Sequence, residues 1–275
     1  MNIMCKGNML KAVITRIDYD DLYELEKSTL KKLKKISIEH GLTINMTREL
    51  NAEEDFELND PTILRELPNE YIKTCMCNSY FNEKLDFIVE INQFFIRIIQ
   101  KVNRLTYTNY EDNHLLILLN FINEIKSEEL IIRRVSIKKV DEANFKDLKI
   151  MEQYFKPEIV QQNIFGLNVN WNIPSSGAST VQNLQYKNKN INFYKKIDRV
   201  SVRERFEDRV LDNIYYKIYL EYEVYNRRIE ETCDIEKSLI EINSITRELF
   251  LNSFTGKGRS VIEKGGVIGD YESNE

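Results

Sequence analysis

Apolar positions along this chain recur with two periods, and the switches between them outline its elements. Leu10–Ile17 is apolar and β-branched, which predicts a first strand. Asp18, Asp20 and Asp21 then offer an N-cap and negative charge to a helix over Tyr19–His40 that Gly41 stops, with Leu22, Leu25, Leu33 and Ile36 as its apolar stripe. Asn45–Pro68 is acidic and rich in turn formers, including Glu53-Glu54-Asp55 and Asn59-Asp60-Pro61, so it reads as a long excursion or edge flap. Strands resume at Tyr71–Cys77, Leu85–Asn92 and Phe94–Val102, the last two forming a hairpin across Asn92-Gln93. A helix over Tyr110–Ile125 places Leu115, Leu119 and Ile122 on one face. Leu130–Val140 alternates, with Val135 and Ile137 opposite Arg134, Ser136 and Lys138. An amphipathic helix over Asn144–Phe155 precedes Pro157, which marks a boundary.

Beyond it, Phe165, Leu167, Val169, Trp171 and Ile173 alternate with Gly and Asn, the pattern of a half-buried strand. Val181–Tyr186 and Ile191–Lys195 flank the polar turn Lys187–Asn190 in the manner of a hairpin. Ile214, Tyr216, Ile218, Leu220, Tyr222 and Val224 hold a period of two without a break, which predicts a long antiparallel strand. A last helix spans Ile235–Phe254, and the Gly-bearing tail after Thr255 reads as flexible. Hairpins without a long βαβ series argue an α+β fold: mainly antiparallel sheets with helices packed on one face, in two sub-domains, 1–157 and 158–275.

Composition narrows the chemistry. The 275 residues are 42% hydrophobic and 30% charged, an ordinary globular balance rather than a disordered or fibrous one. A formal charge of -5 and a pI near 5.4 disfavour bulk affinity for nucleic acid. Local basic stretches remain at Lys31-Lys32-Leu33-Lys34-Lys35 and Arg133-Arg134. With Lys138, the two arginines are the nucleic-acid candidates, and a solvated face is the simpler expectation for such runs. No apolar run reaches the ~18 to 20 residues of a membrane span, and Met1–Met9 lacks the apolar stretch of a signal peptide, so a cytoplasmic protein is expected.

Cys5, Cys75, Cys77 and Cys233 match neither a disulfide framework nor a zinc spacing, so free thiols, no metal and no cofactor are expected. Gly256-Lys257-Gly258-Arg259-Ser260 lacks the earlier glycine and the strand-to-helix setting of a phosphate loop. His40 closes the first helix, where its charged form suits the dipole; it is the one candidate acid or base, without an assignable nucleophile. His114, beside Glu111 and Asp112, reads as a surface residue. Tyr215, Lys217, Tyr219, Glu221 and Tyr225 fall on the outward side of the long strand, and outward tyrosines suit a protein interface because they offer area at little entropic cost.

Three stretches carry a resemblance: Leu130–Lys146 (LIIRRVSIKKVDEANFK), Tyr216–Asn226 (YKIYLEYEVYN) and Ile240–Gly256 (IEINSITRELFLNSFTG). With the opening strand they resemble a sporadically distributed, functionally uncharacterised bacterial protein family of about this length. The resemblance implies no catalytic residues, and the family's patchy occurrence associates it with phage defence or mobile elements. The expected function is therefore a non-catalytic interaction or accessory protein that binds a macromolecular partner, most simply another protein. An alternative is a ferredoxin-like RNA-processing endonuclease resembling the CRISPR repeat-cleaving nucleases. The first-half element order permits a βαββαβ unit, and His40 would be its catalytic group. A third class, a small-ligand sensor, requires a closed apolar pocket.

Overall fold

The computed structural model describes residues 9–19, 25–51, 74–84, 87–102, 114–125, 131–160, 163–164, 167–168, 178–206, 209–227, 235–264 and 268–269. Strand β1 (Leu10–Tyr19) runs two residues past Ile17. Its end is held to the start of β5 (Phe95–Lys101): Tyr19 N–H donates to the Phe94 carbonyl at 2.9 Å and its hydroxyl to the Asn92 carbonyl at 2.8 Å. Helix α1 (Lys27–Glu39) accordingly begins later than the aspartates suggest. It stops where predicted. Gly41 takes φ +77°, its N–H reaches the Ile38 carbonyl and that of Leu42 the Ser37 carbonyl, a Schellman closure that β-carbon-free glycine favours.

The expected excursion at Asn45–Pro68 opens instead as strand β2 (Ile44–Asn51), antiparallel to β3 (Thr74–Phe81); its remainder lies outside the described residues. Strand β4 (Phe87–Ile91) and β5 form the predicted hairpin. Its turn is fixed by the Asn92 side-chain oxygen, which accepts from the N–H groups of Phe94 and Phe95, each at 2.8 Å. Helix α2 (Leu116–Ile125) leads to β6 (Ile132–Phe145), followed by α3 (Leu148–Tyr154), capped by the Asp147 carboxylate, and α4 (Pro157–Val160). Of the alternating stretch Phe165–Ile173, only Leu167–Asn168 (β8) lies within the described residues, and it pairs with Asn163–Ile164 (β7) rather than joining the main sheet.

The second predicted hairpin is formed by β9 (Ala178–Tyr186) and β10 (Lys189–Phe206). Lys187 and Asn188 both have positive φ, 49° and 60°, the two-residue turn whose twist matches that of antiparallel strands. Strand β11 (Arg209–Arg227) contains the long period-two run, and α5 (Ile235–Asn252) follows. The stretch expected to be a flexible tail is a further helix, α6 (Gly256–Glu263), capped by the Thr255 hydroxyl. Gly258 explains why it docks. A β-carbon there would stand 2.3 Å from the Tyr154 carbonyl oxygen, so glycine allows α6 to lie against α3.

Nine of these strands make one antiparallel sheet in the order β2-β3-β4-β5-β1-β6-β11-β10-β9, and the fold is α+β. The division at residue 157 is not a division of the sheet, because β6 from the first half is hydrogen bonded along β11 from the second, Arg134↔Arg227 through Phe145↔Tyr216. Past Tyr216, β11 pairs only with β10 among the described strands, so the two continue beyond the sheet as a ribbon. The register gives each face one phase. Val13, Ile17, Ile96, Ile98, Val135, Ile137 and Val224 share a face, on which Leu33 of α1, Phe121 of α2 and Ile242 of α5 bury their apolar sides. Farther along, Phe145, Ile218 and Leu220 pack with Met151, Phe155, Phe254 and Ile262 as a second cluster on the same face. Each such side chain contributes about 1.5–3 kcal/mol by leaving water. Among the described residues, no helix is long and apolar enough to cross a membrane.

Candidate interaction face

The face turned away from the helices is charged, because the strands' other phase carries their polar residues. At its centre β1 sets Arg16 directly opposite Arg97 of β5, an arrangement that repels unless each charge is answered. Arg16 Nε donates to Asp18 Oδ1 at 2.6 Å, and Arg97 pairs with Glu90 of β4 at 2.6 Å. Phe95 lies between them, 4.2 Å from the Arg16 guanidinium and 5.4 Å from that of Arg97, so both cations meet an aromatic face. Arg134 of β6 pairs with Glu223 of β11, which also accepts from Asn192 Nδ2 at 2.9 Å. The Tyr225 ring stands 4.6 Å from the Arg134 guanidinium and 5.3 Å from that of Arg227. Three arginines and three carboxylates thus form a buried, neutral lattice across five strands.

Toward β10 the same face becomes half-exposed. Lys138 reaches Glu221 at 3.2 Å, Lys217 reaches Glu142 at 2.9 Å, and Lys196 reaches Asp198 at 2.8 Å. Tyr219 sits among them, donating its hydroxyl to Glu221 Oε2 at 3.0 Å and meeting Tyr194 edge-on at 5.7 Å. Its phenol is pushed above the ordinary range by partial burial first, then by the Glu221 carboxylate. Three cations and three anions alternate here around a tyrosine pair.

This arrangement revises the sequence-based site. Lys217, Tyr219 and Glu221 are together and partly open to solvent, but Tyr215 and Tyr225 are buried, at 8% and 7% exposure. Tyr225 lies where β11 is an inner strand, and the guanidiniums of Arg134 on β6 and of Arg227 stand over its ring; a period-two pattern gives the phase and not the strand's place in the sheet. The nucleic-acid candidates do not form a basic patch. Arg134 and Lys138 are matched by carboxylates, and Arg133, exposed, falls where the β1–β6 register shifts. The lysine run on α1 is solvated as expected, with Lys32 3.1 Å from Glu124. His40 is at the end of α1, where its Nε2 meets the Asn120 side-chain amide of α2 at 3.1 Å. Cys77 is buried, its thiol donating to the Ile91 carbonyl, and among the described residues no three His, Cys, Asp or Glu converge as metal ligands would.

Sequence reasoning missed a second polar group, on the helical face. His114 is buried rather than exposed: Nε2 lies 2.7 Å from Gln100 Oε1 and Nδ1 3.4 Å from Thr15 Oγ1, beneath the ring of Phe87. Burial, then the charge of Lys139, lowers its pKa to about 3, so the ring is neutral. Lys139 donates to Asn243 of α5 at 2.8 Å, and Tyr222 shares a 2.5 Å hydrogen bond with Ser253. Asp141 is 1% exposed, and among the described residues neither carboxylate oxygen has a hydrogen-bond partner. Burial raises its pKa to about 7, with Lys139 opposing. The signal for this group is present in the sequence: continuing the apolar phase of Val135 and Ile137 places Lys139 and Asp141 inside.

Fold and face together define an α+β protein that presents a mixed-charge sheet surface. No family model matches the chain, and no curated protein matches it. Among solved structures, the chain is similar to the substrate-free duplicated taurocyamine kinase from Schistosoma mansoni at 13% identity, covering 90% of this chain and 34% of that one with a TM-score of 0.30. The chain thus spans about a third of that protein's length, and at this TM-score neither fold nor activity carries over.

Proposed function

We propose that this protein is a non-catalytic binding protein that engages another protein through the half-exposed part of its charged face, centred on Tyr219, Lys217 and Glu221. The observation that supports the reading is the pairing of charges there: each cation has a carboxylate within 3.2 Å. A polyanion gains little from such a surface, whereas a protein patch of opposite pattern can exchange these ion pairs for intermolecular ones and stack on the tyrosines.

The test is affinity capture from the native lysate with wild type, a Tyr219→Ala/Lys217→Glu double variant, and a Lys31→Glu control on α1. The expected result is one protein held by wild type and control and lost with the double variant. A partner retained equally by all three, or a partner that proves to be RNA, overturns the reading.

A further inference from the structure

The sheet ends at β9, which is hydrogen bonded to β10 on one side; among the described residues no strand pairs with its other side. Natural edge strands are guarded against further pairing by charge, proline or bulges. Ala178–Tyr186 (ASTVQNLQY) has no charged residue and no proline, and its register against β10 runs without a shift from Lys189↔Tyr186 to Ile197↔Ala178. The opposite edge, β2, carries Arg48 and Glu49. On β9, Val181 is 65% exposed and Leu184 50%.

The turn decides which backbone groups are available. A two-residue loop at Lys187-Asn188 makes Tyr186–Lys189 the hydrogen-bonded closing pair. Even-numbered residues of β9 therefore bond β10, and the N–H and C=O groups of Ser179, Val181, Asn183 and Gln185 point away from the sheet.

We propose that β9 is a dimer seam, where the β9 strands of two copies of this chain pair antiparallel about a twofold axis normal to the sheet. Such an axis sets a strand against its own sequence, so any charge near the centre would face its like; the lack of charge over nine residues removes that penalty. Centred on Gln182, the pairing sets Ser179 opposite Gln185 and Val181 opposite Asn183, matching outward backbone groups with outward ones. It also sets Ala178 opposite Tyr186 and Thr180 opposite Leu184, small against large. Both helical layers then lie on one side and both charged faces on the other, which doubles the surface around Tyr219. The seam itself does not depend on what that surface binds.

The experiment is light scattering on the full chain over a dilution series in reducing buffer, so that cysteines add no covalent dimer. Wild type is expected at twice 32.7 kDa when concentrated, falling towards 32.7 kDa on dilution. Asn183→Pro removes an outward N–H without touching the β10 ladder, and Asn183→Lys brings two like charges to the seam. Both variants are expected to stay monomeric with an unchanged circular-dichroism spectrum, and Asn183→Lys carries the test if the proline variant fails to fold. A wild type that is monomeric at every concentration overturns the proposal. So does a dimer that persists in both variants, or a monomer that takes up only a foreign strand.

Discussion

Replacing Asp141 by Asn should change the stability of this protein by an amount that depends on pH. The carboxyl is buried with no hydrogen bond among the described residues, and its pKa in the fold is about 7 against an ordinary 3.8. A raised value means that folding favours the protonated form. The contribution is fully present below pH 3.8, is lost as pH climbs towards 7, and is constant above that. Three pH units at ~1.4 kcal/mol each give on the order of 4 kcal/mol, a large part of a typical domain's ~5–15 kcal/mol. His114 acts in the opposite sense: with its folded pKa at about 3 rather than 6.5, stability is lost as pH falls through that window. The two terms overlap, so the wild-type profile alone is shallow and uninformative. The difference between Asp141→Asn and wild type cancels the histidine, and any fixed cost of the buried amide is independent of pH. Urea unfolding followed by circular dichroism at pH 4 and pH 8 should therefore show the variant gaining roughly 4 kcal/mol relative to wild type between the two conditions. A difference that is the same at both pH values would refute the reasoning.

Two further perturbations test the packing. Arg97→Leu strips the buried Glu90 of its guanidinium and should cost about 3–5 kcal/mol, whereas Glu90→Leu/Arg97→Leu should recover most of it, read from urea midpoints of the two variants. Gly258→Ala drives a β-carbon into the Tyr154 carbonyl and should cost ~1–3 kcal/mol in thermal unfolding, while Gly256→Ala, with nothing within 4 Å, should be neutral or slightly stabilising. Equal effects would mean that α6 is not docked on α3.

Local pattern determined much of this protein. The alternation of Ile218, Leu220, Tyr222 and Val224 is a property of one strand, and all four are buried as their phase requires. Gly41 ends α1 because glycine takes positive φ at no steric cost, and Asn188 tolerates the same region in the β9–β10 turn, where the two-residue loop imposes it on Lys187 as well. The antiparallel α+β class follows from the same short-range signals. What surrounds a strand is another matter, since pairing partners come from remote sequence. Tyr225 is outward in phase yet enclosed, because β11 falls between β6 and β10 there and Arg134 of β6 lies against its ring. Arg134 reads as half of a basic pair until Glu223, brought alongside by the β6–β11 register, neutralises it. His114 looks acidic-flanked and exposed in the chain, but the tertiary fold sets it over Thr15 and Gln100 from β1 and β5. Periodicity is written residue by residue; burial and charge compensation are sums over neighbours that only the folded sheet assembles.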